Sequence, residues 1–176
     1  MNSQLDNQAT EEIIAALNAG QIATVPTETV EGYAVRLDDA NAIHELMRLK
    51  DRDYNSGKVF TLVPDSIQQI GQFAIIPEHA RSIIERYIPG ELTAILPKNP
   101  NFHHPYYDHY GTIGIRIPDH PLFAKILPST GPLLLTSANP RGGTPHSITG
   151  HLPSTIIDFT TDTPRIIRQG NLHLKI

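Results

Sequence analysis

The sequence predicts an α/β fold. Short β-branched and apolar runs alternate with stretches whose apolar residues recur at three- and four-residue spacing, and Gly, Pro or Asn marks most of the junctions. The length of 176 residues favours one domain, 1–176, large enough to bury a core without disulfides or metals. Cysteine is absent, which excludes a disulfide framework, a thiolate nucleophile and a Cys-ligated metal. The formal net charge of −4 argues against a broad nucleic-acid footprint, so any RNA contact is expected to be local. No basic segment leads into an apolar one at the N-terminus, and no apolar run approaches the ~18 residues of a membrane span, so a cytoplasmic protein without membrane contact is expected.

The elements follow in order. Thr10 to Asn18 reads as a helix with Thr10 as N-cap, acids in the first turn and Gly20 just past its end. Gln21 to Val25 and Tyr33 to Leu37 read as strands around a hydroxyl-rich turn bracketed by Pro26 and Gly32. Short, stiff threonines there suit a polar ligand held close to the backbone, or bond their own backbone. Asp39 to Lys50 is a second helix that ends in the charged run Lys50-Asp51-Arg52-Asp53. Lys50 opposes the negative end of the helix dipole, or projects with Arg52 into a site where cations hold phosphate or carboxylate oxygens.

Val59 to Val63, Leu92 to Leu96, Thr112 to Ile117 and Leu133 to Thr136 read as further strands, with helices over Pro77 to Tyr87 and Pro121 to Leu127. Ser154 to Phe159 and Pro164 to Arg168 read as a closing hairpin. Between them, Pro97 to Gly111 is a loop carrying His103, His104 and His109, whose spacing matches no standard metal-ligand set. It reads as a surface loop or a flap over a site. Gly57-Lys58 is no Walker loop, because position 52 is Arg and position 59 is Val. No G-x-S-x-G surrounds Ser137, so a hydrolase elbow has no support.

The order of these signals is more specific than any one of them. Pro26-Thr27-Glu28-Thr29-Val30, Lys50-x-Arg52, Pro89-Gly90-x-Leu92-Thr93, Gly114 to Pro121, Thr136-Ser137-Ala138-Asn139 and Ser154 to Asp158 together resemble the YrdC-like family, from about Gln21 to Gly170. The resemblance implies a single-domain twisted open mixed β-sheet flanked by helices, with a concave ligand cleft. It also implies a nucleotidyltransferase that makes L-threonylcarbamoyl-AMP and pyrophosphate from ATP, L-threonine and bicarbonate. The product would feed a separate tRNA threonylcarbamoyl-transfer complex that modifies adenosine 37, and Mg²⁺ is expected with the ATP.

Carried over by motif, Lys50 and Arg52 would neutralise the carbamate and triphosphate. Thr27, Thr61, Arg116 and Ser154 would meet L-threonine, with Arg116 on its carboxylate. Arg52, Ser56, Thr112, Ser137, Asn139 and Arg168 match nucleotide-binding positions. Glu31 stands where many members carry tyrosine, and Gly57 to Leu62 looks more like the YciO-type paralogues. A non-catalytic nucleotide- or double-stranded-RNA-binding paralogue is therefore the alternative.

Overall fold

The computed structural model describes residues 2–55, 57–139, 143, 150 and 152–174. Helix α1 spans Asn2–Asn18 and does not begin at Thr10. Nothing from Gln4 to Ala9 breaks a helix, and Gln8 Nε2 donates to Glu12 Oε1 one turn on at 3.0 Å. Thr10 is thus a buried mid-helix residue, which corrects its reading as an N-cap. The helix closes on Gly20 at φ 73°, with the Gln21 amide donating to Ala16 O at 2.9 Å.

Strands β1 (Ala23–Val25) and β2 (Gly32–Arg36) follow, then α2 (Ala40–Leu49), whose N-cap Asp39 accepts from the Ala42 amide. After β3 (Thr61–Val63) comes α3 (Ile67–Phe73), a helix not expected from the sequence. Its signal is local: Ser66 caps it by accepting from the Gln69 amide at 3.3 Å. Next are α4 (Glu78–Tyr87), β4 (Leu92–Pro97), β5 (Thr112–Ile115), α5 (Pro121–Thr130), β6 (Leu133–Ser137), β7 (Thr155–Asp158) and β8 (Arg165–Arg168).

The eight strands form one open mixed sheet in the order β1-β2-β6-β3-β5-β4-β7-β8. Its β3/β5 and β4/β7 pairs are parallel and the others antiparallel. Side chains alternate between faces, and the two faces differ in cover. On one face Val35, Leu62, Ala94, Ile113, Ile115, Leu134 and Ile157 pack in a core with Ile43 and Leu46 of α2, Ile70 of α3 and Ile84 of α4. On the other, Val25, Ala34, Val63, Leu133 and Leu135 meet Leu17 of α1 and Phe123, Ile126 and Leu127 of α5. A fully buried Leu, Ile or Phe is worth about 1.5–3 kcal/mol over an exposed one, so these cores hold the sheet.

The α1–α5 layer stops at β3. Past it the same face carries Thr61 opposite Leu135, Gly114 opposite Ile95, and Thr93 and Arg168 both opposite Ile156. There, among the described residues, no helix packs on the sheet, and Thr61, Thr93, Gly114 and Arg168 stand among Ile95 and Ile156.

The loop from Pro97 to Gly111 is neither a flap nor wholly superficial. Tyr106 and Tyr107 are buried in the core. Tyr107 OH donates to Phe60 O and the Phe60 amide donates to Tyr106 OH, both at 2.9 Å. Burial raises both phenol pKa values. His104 is structural as well: its Nδ1 accepts from the Tyr106 amide, which leaves Nε2 to donate to Leu37 O at 2.7 Å. Among the described residues no group of three or more His, Asp or Glu is placed to hold a metal ion.

Candidate active site

The uncovered part of the α1–α5 face is a concave cleft of about 150 Å³. That is below the roughly 300–1,000 Å³ of drug-sized sites and suits a small polar molecule at its base. Of the residues singled out in the sequence, Thr27, Arg52, Thr61, Arg116, Ser137, Ser154 and Arg168 line it. Glu31, Thr93 and Thr136 line it too.

The turn from Thr27 to Glu31 forms one wall. Thr27 Oγ1 accepts from the Thr29 and Val30 amides at 3.1 and 3.2 Å and lies 2.7 Å from Val30 O. Its hydroxyl is therefore consumed in shaping the turn, as Ser and Thr side chains commonly do. The buried Thr29 hydroxyl faces Arg116 and accepts from its Nη2 at 2.8 Å.

Arg116 follows β5 and is only 5 % exposed. Its Nε donates to Gly90 O at 3.2 Å, and its Nη2 also donates to Glu28 Oε1 at 2.9 Å. Gly90 itself is required by the turn: it sits at φ 151°, and a Cβ there would lie 2.9 Å from Tyr87 O. The Gly90 amide donates back to Ile117 O at 2.8 Å, so the turn before β4 and the end of β5 form one unit.

Arg168 closes the opposite wall. Its Nε and Nη2 donate to Ser154 O at 3.0 and 2.8 Å, and Nη2 reaches Ser154 Oγ at 3.2 Å. Ser154 Oγ lies 2.8 Å from Thr93 Oγ1, both buried. Behind them Thr155 Oγ1 accepts from the Gly170 amide and donates to Leu172 O. A Cβ on Gly170 would stand 2.1 Å from Pro153 O, so only glycine lets the C-terminal segment press against the backbone carrying Ser154. Burial, and then the Arg116 charge, lower the Arg168 pKa. An anion between the two arginines would relieve that repulsion.

Lys50 is buried and does not line the cleft. Its ammonium donates to Ser137 O at 2.9 Å and to Asn139 O, tying the end of α2 to the end of β6. Burial, followed by the neighbouring Arg52 charge, lowers its pKa. The Arg52 guanidinium lies over the Phe60 ring, 5.0 Å from its centroid, and Phe60 stacks on Tyr106 at 5.4 Å. The aromatic loop thus supports Arg52 from below.

Thr112 shares the cleft's face but opens β5 about 13 Å before Arg116, taking about 3.3 Å per residue, and does not line the cleft. Asn139 also lies outside the lining, with Nδ2 donating to Gly143 O at 2.7 Å. Ser56 lies outside the described residues, as does most of the segment from Asn139 to Ser154. Thr93 and Thr136 are cleft residues that sequence reading did not single out for binding. For Thr93 a faint signal existed, a hydroxyl in an otherwise apolar strand beside Pro89-Gly90.

Three guanidinium groups against one lining carboxylate, Glu31, make this a site for anions. The Thr61 and Ser137 hydroxyls make no hydrogen bond among the described residues and are open to a ligand. Fold and cleft together define an α/β domain whose open sheet face carries a cleft lined by arginines and hydroxyls. Residues 15–150 match the Sua5, YciO and YrdC family, described as telomere recombination, and the chain belongs to that family.

Its relatives carry a consistent name. The putative threonylcarbamoyl-AMP synthase of Mycobacterium tuberculosis is 29 % identical, over 89 % of this chain and 82 % of its own. The threonylcarbamoyl-AMP synthase of Stutzerimonas stutzeri is 29 % identical, over 75 % of this chain and 71 % of its own. Among solved structures, Pyrococcus abyssi Sua5 complexed with L-threonine superposes with a TM-score of 0.80 at 25 % identity. The match covers 93 % of this chain but 54 % of Sua5, so the chain spans about half of that protein's length. Escherichia coli YciO shares the fold at a TM-score of 0.81 and 22 % identity, over 94 % of this chain and 90 % of YciO. Among the described residues no helix is long and apolar enough to cross a membrane.

Proposed function

We propose that this protein is an L-threonylcarbamoyladenylate synthase, joining ATP, L-threonine and bicarbonate into threonylcarbamoyl-AMP and releasing pyrophosphate. The observation that carries the reading is the gathering of Arg52, Arg116 and Arg168 with open hydroxyls on one sheet face, in a chain of this family. The threonine amine would add to bicarbonate with loss of water, giving a carbamate. A carbamate oxygen would then attack the α-phosphorus of ATP and pyrophosphate would leave. No protein nucleophile is needed; holding anions in reacting order while excluding water is.

In this reading Arg116 holds the threonine carboxylate, beside Thr27 and Thr61. Arg168, Ser154 and Ser137 face the carbamate and nucleotide, and Arg52 takes phosphate charge. Lys50 acts as a positioning residue that fixes the Ser137–Asn139 backbone. Mg²⁺ would travel with ATP. The lining supplies one carboxylate and no described three-residue metal group, so phosphate oxygens and water would provide most of its ligands. The product would pass to a tRNA threonylcarbamoyl-transfer complex in the cytoplasm.

The test is pyrophosphate release from ATP, Mg²⁺ and bicarbonate with and without L-threonine. Release that depends on threonine is expected; release indifferent to it overturns the proposal. One observation favours a second reading, a non-catalytic nucleotide- or RNA-binding paralogue: Glu31 places a carboxylate in the lining. That reading requires saturable ATP or RNA binding without threonine-dependent turnover, the RNA binding falling steeply with salt.

A further inference from the structure

Glu28 is the residue this mechanism leaves unused. It does not line the cleft and stands behind Arg116, its side chain 18 % exposed. Oε1 accepts from Arg116 Nη2 at 2.9 Å, while Oε2 is buried and makes no hydrogen bond among the described residues. A guanidinium has five N–H donors in a fixed plane. In Arg116 the Nε donor goes to Gly90 O, and those of Nη2 go to Glu28 Oε1 and Thr29 Oγ1. Only Nη1 makes no hydrogen bond among the described residues, and Arg116 lines the cleft.

Two consequences follow from that count. A ligand carboxylate cannot take the bidentate Nε–Nη2 edge without evicting Glu28. Eviction would leave a buried, uncompensated carboxylate, which is strongly unfavourable. The ligand therefore meets Nη1 while Glu28 stays in place. Second, the Glu28 charge cancels much of the Arg116 charge beside the cleft, and so weakens its pull on anions.

We propose that Glu28 is the positioning residue of Arg116, fixing the guanidinium so that Nη1 alone faces the ligand and moderating its charge so that the carboxylate is held reversibly. This rests on the reading of the cleft as a threonine site only for the ligand's identity; the positioning itself is a property of the free protein. The two parts of the proposal separate in two variants. Glu28→Gln keeps a carbonyl to accept from Nη2 but removes the charge, whereas Glu28→Ala removes both. A merely structural role would make both variants bind less tightly, in step with lost stability.

The experiment is ¹⁵N NMR of the arginine side chains, combined with calorimetric titration of L-threonine, on the wild type and both variants. In the free protein the Arg116 Nη2–H signals should be resolved and slow to exchange in wild type and Glu28→Gln, and averaged in Glu28→Ala, because Glu28 accepts from Nη2. Threonine should bind Glu28→Gln at least as tightly as wild type and Glu28→Ala about tenfold or more weakly. An Arg116 signal as protected in Glu28→Ala as in wild type overturns the positioning role. Threonine binding lost equally in both variants overturns the charge-moderating role. If wild type binds no threonine, the functional reading fails, and the spectra of the free proteins still decide whether Glu28 positions Arg116.

Discussion

At the scale of single residues, Lys50 and Arg52 separate into different kinds of cation despite sharing one sequence signal. Arg52 lines the cleft over an aromatic platform, while Lys50 is spent on the Ser137 and Asn139 carbonyls. Lys50→Met should therefore act through geometry. It loses two charge-assisted bonds but also removes a buried charge whose desolvation already lowers its pKa, so the terms offset. Stability should change by less than about 1.5 kcal/mol in denaturant titrations, while threonine-dependent turnover falls by about tenfold or more as the Ser137–Asn139 backbone relaxes. A stability loss of several kcal/mol with turnover intact would assign Lys50 to the fold alone. Nothing in Lys50-x-Arg52 tells which cation faces the ligand, because that depends on the end of β6, 87 residues away. Thr27 teaches the same lesson: its hydroxyl shapes the turn while the residue also lines the cleft, which the local pattern alone does not show.

At the scale of elements, the strands were legible and their cover was not. Thr112-Ile113-Gly114-Ile115-Arg116 alternates visibly, and the structure buries both isoleucines while leaving Gly114 and Arg116 on the cleft's face. Which face helices would cover depends on pairing order, which local pattern does not encode. Helix α3 carries little periodic signal because it is short, and α1 extends past its apparent cap because no Gly or Pro interrupts its polar first turns. The closing hairpin was legible, and it carries a pH prediction. Burial alone would raise the Asp158 pKa, but the Thr160 hydroxyl and amide at 2.6 and 2.9 Å, with Arg165, hold it below the ordinary 3.8. A carboxyl depressed on folding contributes stability that is complete above its unfolded pKa and fades as pH falls through the folded one. Wild type should therefore lose stability below about pH 3.8 through this group, and Asp158→Asn should flatten part of that slope while lowering stability at pH 7. Chemical denaturation at a series of acid pH values measures both effects; an unchanged slope in the variant would remove Asp158 from the account.

At the scale of the whole molecule, the sheet is held by cores on both faces, but the cleft's walls arrive from opposite ends of the chain. Glu28 and Arg116 meet on one side, and Ser154 and Arg168 on the other. Among the described residues neither wall has an apolar cluster of its own, and the two arginines repel across the space between them. A ligand that is anionic at both ends would thus act as the missing counter-charge and tie the C-terminal hairpin to the β1–β2 turn. Binding to the folded state alone stabilises it by about 2.7 kcal/mol at a hundredfold excess over Kd, which for a chain of this size corresponds to roughly 5–10 °C in Tm. Threonine and ATP together should raise Tm by less than the sum of their separate shifts, because the threonine carboxylate and the triphosphate each neutralise charge that would otherwise attract the other. Thermal scans with each ligand and with both decide this: additive shifts would mean two independent sites, and no shift with threonine would leave the cleft without its proposed amino acid.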